Sequence, residues 1–286
     1  MHTVTARWPS IDWTAALGVS LALGLLLFAA SFSVGRHGFS PDEEITALVV
    51  RGIAETGAPV LPSGVLYLRG LPYSYAAWLG GALFGHELVV YRATSLAFAL
   101  LAVVLIFLVT RSVSTTAAGV VAALLFAGSP FLPSAAVFAR FYAAFVAAAL
   151  FAVWLLVRPR AADAPAWLFL PALAVCRSLH EFAFVVALFP GCLALCGSQD
   201  DPSRRRFLVL FAQSIGLLLA MQIGLMAVEE WSFGDILVVT APGLGVFSHA
   251  PGCAPFAVPV CPCWTAHAVG SCCRPRAARM AAAAQG

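Results

Sequence analysis

The sequence predicts an all-α fold, a polytopic transmembrane helical bundle of about seven spans. Composition is the first ground. The chain is 62% hydrophobic and 10% charged, with a mean hydropathy of +0.94, whereas soluble domains carry about 25% charged residues. Run length is the second. Residues 13–34 carry no charge, and a helix needs about 20 apolar residues to cross the hydrocarbon core. The net charge of +3 comes without a basic face or a stretch that mixes aromatic and basic residues, which excludes nucleic acid as a partner. All 16 basic residues are arginine.

Residues 13–34 are the first span. Arg7 precedes them, and Ala29-Ala30-Ser31 resembles a cleavage site. The apolar run nevertheless exceeds the about 7–15 residues of a signal-peptide core, so a retained helix is expected. Further apolar stretches follow at 93–110, 117–138, 141–157, 165–179, 181–197 and 207–228. Cytoplasmic loops are enriched in arginine. With the N-terminus inside, Arg7, Arg111, Arg158, Arg160 and Arg204-Arg205-Arg206 all fall on the cytoplasmic side. The outer side then receives residues 35–92, the Arg140 turn, the Arg177–Glu181 turn and Glu229-Glu230.

The long first outer loop reads as two amphipathic surface helices. Ser40-Pro41-Asp42-Glu43 is a helix start, with Ser40 as N-cap, Pro41 at the first position and Glu43 completing an S-x-x-E box. Ile45, Leu48, Val49 and Ile53 make an apolar stripe, and Gly57 ends the helix. Residues 71–85 make the second helix, whose Tyr73, Tyr75 and Trp78 suit a water–lipid interface. The expected domains are a membrane-embedded unit, 1–244, and an atypical tail, 245–286, that reads as disordered or translated out of frame. Five of the eight cysteines lie in that tail, but their spacing matches no zinc pattern, so no metal ligand is assigned.

The acids at 42–44 admit two readings. A cap and the helix dipole explain Asp42 and Glu43, and leave Glu44 solvated. A site explains them equally, since a helix N-terminus can cap and bind at once. Arg140 lies between two apolar stretches and needs a partner or a ligand unless it snorkels. Arg69 is placed to pair with Asp42 or Glu87, or to bind phosphate. His180-Glu181 opens the sixth apolar stretch, where a titratable pair is a functional hypothesis.

Laid end to end, residues 12–190 resemble the N-terminal half of the GT-C glycosyltransferases, closest to the protein O-mannosyltransferases and lipid A aminoarabinose transferases. The resemblance rests on Asp42-Glu43 after a first span, a turn at Gly57-Ala-Pro59-Val-Leu-Pro62, Tyr67 and Arg69 before "PYSYAAWL", and "LFGHELVVYRATS" at 83–95. It implies that a sugar passes from a polyprenyl-phosphate carrier to a lipid, glycan or protein acceptor on the outer face of a bacterial inner membrane. By resemblance Asp42 is the catalytic carboxylate and Glu43 supports it. Arg69 and Arg140 bind the carrier phosphate, since guanidinium pairs bidentately with phosphate. Glu44, Tyr67, Tyr142, His180 and Glu181 line the site. No cofactor follows from the resemblance, and assistance by a divalent metal is left open. The family carries further spans beyond these, so an inactive remnant is a second reading. A transporter is a third; it predicts mid-span charges and an internal repeat, and the sequence has neither.

Overall fold

The computed structural model describes residues 12–31, 40–158, 168–196 and 202–229. All belong to one compact unit, residues 1–239. The tail lies outside the described residues, as do the side chains of Glu229 and Glu230. Among the described residues ten helices form: α1 (Trp13–Ser31), α2 (Pro41–Thr56), α3 (Leu71–Phe84), α4 (Leu88–Val113), α5 (Thr116–Ala127), α6 (Phe131–Val137), α7 (Tyr142–Val157), α8 (Phe169–Leu179), α9 (Ala183–Cys196) and α10 (Pro202–Glu229). Among the described residues there is no strand, only an isolated bridge between Val60 and Leu66.

Every apolar stretch contains a helix among its described residues, but the lengths divide them. α1, α4 and residues 203–226 of α10 are long and apolar enough to cross a membrane. α5 and α6 reach that length only together, across a 59° bend. The bend falls at Gly128-Ser129-Pro130. Proline has no amide to donate, and it drives the preceding residue out of helical geometry. α7, α8 and α9 have 16, 11 and 14 residues. At about 1.5 Å per residue, each falls short of a hydrocarbon core roughly 30 Å thick. Among the described residues three helices, or four units with the bent pair, are by length and composition full spans, and the remaining apolar stretches of the expected seven form shorter helices.

Small residues let the helices approach closely, as in membrane bundles generally. Ala22 of α1, Ala99 and Ala102 of α4, Ala123 of α5, Ala136 of α6 and Ala147 of α7 share one cluster. A second cluster joins α7, α8, α9 and α10 through Leu156, Leu173, Ala187 and Leu210. Outward faces stay apolar, as at Leu21, Leu125, Leu195 and Ile223, which suits contact with lipid.

The two surface helices differ. α2 is amphipathic as its stripe predicts, with Val49, Val50 and Ile53 buried and Asp42, Glu44 and Arg51 exposed. α3 does not have the expected polar face. It buries Tyr73 and Ala77 and exposes Leu79, Leu83 and Phe84, because nearly all its residues are apolar. A third cluster packs both helices onto the bundle through Val50, Tyr73, Tyr91, Ala139, Phe141, Ala144 and Leu179.

Candidate functional site

The α2 N-terminus forms as its sequence predicts. Ser40 is the cap, its hydroxyl accepts from the Asp42 amide at 3.3 Å, and Glu43 Oε2 accepts from the Ser40 amide at 3.2 Å. The cap is only part of what Glu43 does. Its carboxylate also takes two bonds from Arg92 of α4, Nε to Oε1 and Nη2 to Oε2, each 2.8 Å. The Ala139 amide donates to Oε1 at 2.8 Å. Glu43 is 0% exposed and Arg92 4%. Burial pushes the Glu43 carboxyl up, but the Arg92 guanidinium and the two amides outweigh it and hold the group below its ordinary value. Glu43 thus lies behind the site as a buried clamp between α2, α4 and the α6–α7 turn.

Asp42 faces the other way. Successive helical residues are about 100° apart, so one neighbour can point in while the other points out. The Asp42 side chain is 57% exposed, and its Oδ2 lies 3.2 Å from Arg140 Nη2. Arg140 Nη1 donates to the Asp42 carbonyl at 3.0 Å. The Arg140 side chain is 9% exposed, and its Nε is buried without a hydrogen-bond partner.

A second guanidinium stands alongside. Arg140 lies 5.1 Å from the centroid of the Phe141 ring and Arg69 lies 5.6 Å from it. Arg69 pairs with Glu181 at 3.4 Å, not with Asp42 or Glu87. Both of its partners are about half exposed, so that pair is weak. Gly70 permits this approach. Its φ is +70°, and a Cβ there would lie 2.4 Å from Phe141 Cδ1. Its amide donates to the Ser178 carbonyl at 3.0 Å and ties the first loop to the end of α8.

The other predicted lining residues surround these cations. Tyr67 is half-buried. Burial raises its hydroxyl pKa, while the Arg140 and Arg69 charges pull it down, with a net rise. His180 is 9% exposed and packs against Phe141, Tyr142, Phe145 and Phe182, with ring centroids 4.7–5.9 Å away. The Phe182 amide donates to its Nδ1 at 3.1 Å, which leaves the ring proton on Nε2. Burial, then the Arg69 charge, lowers the His180 pKa. Glu44 is exposed on the first turn of α2 and joins no ion pair among the described residues.

The structure therefore joins Asp42, Arg140, Arg69, Tyr67, Tyr142, His180 and Glu181 at one end of the helices, leaves Glu44 outside and sets Glu43 behind. Among the described residues no group of three or more His, Cys, Asp or Glu side chains converges. Sequence reasoning gave Arg92 no role. The available signal was a charge near the start of a long apolar helix, which demands a partner. The arrangement offers two cations within 5.1–5.6 Å of one aromatic ring beside an open carboxylate, which is suited to an anionic group next to a hydroxyl.

The model of one protein family, dolichyl-phosphate-mannose-protein mannosyltransferase, matches residues 69–227. That segment contains Arg69, Arg92, Arg140 and His180 and begins after Asp42 and Glu43. No curated protein and no solved structure gives a match. With more than half of the chain matched, the apolar helices and this site belong to an integral membrane protein of the dolichyl-phosphate-mannose-protein mannosyltransferase family, a glycosyltransferase of the GT-C type.

Proposed function

We propose that the chain transfers a sugar from a polyprenyl-phosphate carrier to an acceptor hydroxyl on the extracytoplasmic face. Arg69 and Arg140 hold the carrier phosphate. Asp42 orients the acceptor hydroxyl and takes its proton as the new glycosidic bond forms. The bond between the sugar C1 and the phosphate oxygen breaks, and the electron pair leaves on the phosphate, where the two guanidiniums offset the charge. The acceptor is a lipid, a glycan or a protein. No nucleotide sugar takes part.

One observation carries this reading. The carboxylate of Asp42 is open to solvent and sits 3.2 Å from a buried arginine, and that arginine and Arg69 each pack within 6 Å of the Phe141 ring centroid. Two further features support it. An apolar cavity of about 420 Å³ lies on the flank between α7 and α8, lined by Ala148, Phe151, Leu155, Ala172 and Val175, which offers room for an isoprenoid chain. The loop charges support the outer face, since the arginine-rich loops lie at the opposite helix ends.

The test is Asp42→Asn in membranes supplied with a short-chain polyprenyl-phosphate mannose. Transfer should fall by at least about a hundredfold, the scale of a lost general base, with the protein still present in the membrane. Retained transfer overturns the assignment.

A further inference from the structure

Arg140 sits in a short segment, Phe138–Phe141, where α6 has ended and α7 has not begun. Such backbone is buried here, so its polar groups need partners from elsewhere. Ala139 donates to Glu43. The Arg140 amide reaches only the Phe138 carbonyl, at 2.8 Å, and Ser95 Oγ of α4, at 3.3 Å. Ser95 Oγ donates back to the Arg140 carbonyl at 3.2 Å. One α4 side chain thus holds both backbone polar groups of the residue that carries the guanidinium.

Ser95 is itself held. The Tyr73 hydroxyl of α3 lies 2.8 Å from Ser95 Oγ and 2.9 Å from the Tyr91 carbonyl. Two hydroxyl protons serve three acceptors here. When Ser95 donates to the Arg140 carbonyl, its oxygen accepts from the Arg140 amide and from Tyr73, which satisfies the serine fully. Tyr73 is 1% exposed and Ser95 0%. Burial pushes the Tyr73 hydroxyl pKa up, so it remains a proton donor. Arg92 and Ser95 lie three residues apart, hence on one face of α4. That face fixes Glu43 with one residue and Arg140 with the other.

We propose that Ser95 and Tyr73 are positioning residues, which hold the Arg140 guanidinium in register for the phosphate of the lipid-linked donor. The claim rests on the donor reading above. Losing the Ser95 hydroxyl frees a turn whose Arg140 amide then keeps a single short-range partner, and the guanidinium loses its fixed origin.

The experiment uses the full chain in detergent, with farnesyl phosphate as the probe in titration calorimetry and steady-state kinetics beside it. Ser95→Ala should weaken farnesyl phosphate about tenfold, the scale of one buried hydrogen bond. Tyr73→Phe, which removes one oxygen atom, should weaken it about threefold. Donor KM should rise more than kcat falls, and acceptor KM should stay put, whereas a merely structural loss would lower active enzyme with KM unchanged. Ser95→Thr should restore most of the affinity. In an Arg140→Ala chain, adding Ser95→Ala should cost nothing more. An equal further loss there, or unchanged binding in both single variants, overturns the proposal. If Ser95→Ala fails to fold, Tyr73→Phe carries the test alone. No binding by the intact chain overturns the donor reading itself, which is a different result.

Discussion

Asp42 and Glu43 are adjacent in sequence and opposite in role. The inward one is sealed and charged by design of its partners, and the outward one is open. This opposition gives Asp42 a second property. Its carboxylate and carbonyl occupy both terminal nitrogens of Arg140, and those nitrogens are the ones a donor phosphate would take. Asp42 and the phosphate therefore compete. Asp42→Asn should bind farnesyl phosphate about 1.4-fold to fivefold more tightly than the native chain, since a part-exposed pair is worth about 0.2–1 kcal/mol. The same variant should lose transfer. A calorimetric titration showing weaker binding would mean that Asp42 helps hold the phosphate, and the competition would be wrong. Glu181→Gln should act in the same direction through Arg69, and less, because that pair is longer and more exposed.

Two helices and a turn meet on one ion pair at the next scale. Glu43 and Arg92 are both buried. Breaking such a pair leaves an uncompensated charge and costs about 3–5 kcal/mol. Glu43→Ala should accordingly lower the melting temperature in detergent far more than Glu44→Ala on the exposed side of the same turn. The pH dependence has a definite sign. The folded pKa of Glu43 is depressed from 4.5, so its contribution is present above pH 4.5 and is lost as pH falls through the lower folded value. The folded pKa of His180 is also depressed, from 6.5. Its neutral form is favoured by folding, so that contribution is complete above pH 6.5 and declines below it. Acid melting curves should therefore show stability falling first below pH 6.5 and again below 4.5. His180→Phe should remove the first fall and keep the second. The local half of this element was legible in the sequence. Ser40, Glu43 and Gly57 announce a helix because their signals act over three or four residues. The clamp was not legible, since Arg92 is 49 residues away from Glu43 and the Ala139 amide is 96, and a backbone amide has no sequence signature. The Arg69–Glu181 pair, 112 residues apart, was hidden for the same reason.

Hydropathy reads the whole molecule well in kind and less well in length. It marks where the chain is apolar, and each marked stretch contains a helix among its described residues. It does not register a break inside an apolar run, so the Gly128-Ser129-Pro130 bend divides the stretch 117–138, which looks long enough to span. The sidedness of the bundle can be checked despite the short helices. The loop charges set Ser63 outside and Ser114 inside, and both residues are exposed. All eight cysteines would first be replaced, and one new cysteine introduced by Ser63→Cys or Ser114→Cys. A membrane-impermeant maleimide added to intact cells should label the Ser63→Cys chain at once, and the Ser114→Cys chain only after the membrane is opened. Retaining Cys196 alone, at the far end of α9, extends the test to a short helix. Labelling after opening shows that 14 residues suffice to reach the inner surface, which requires a locally thinned bilayer, since a helix of that length spans only about 21 Å. Labelling of Ser114→Cys in intact cells would invert the bundle and move Asp42, Arg69 and Arg140 to the cytoplasmic face, where a donor carried in the inner leaflet would have to reach them.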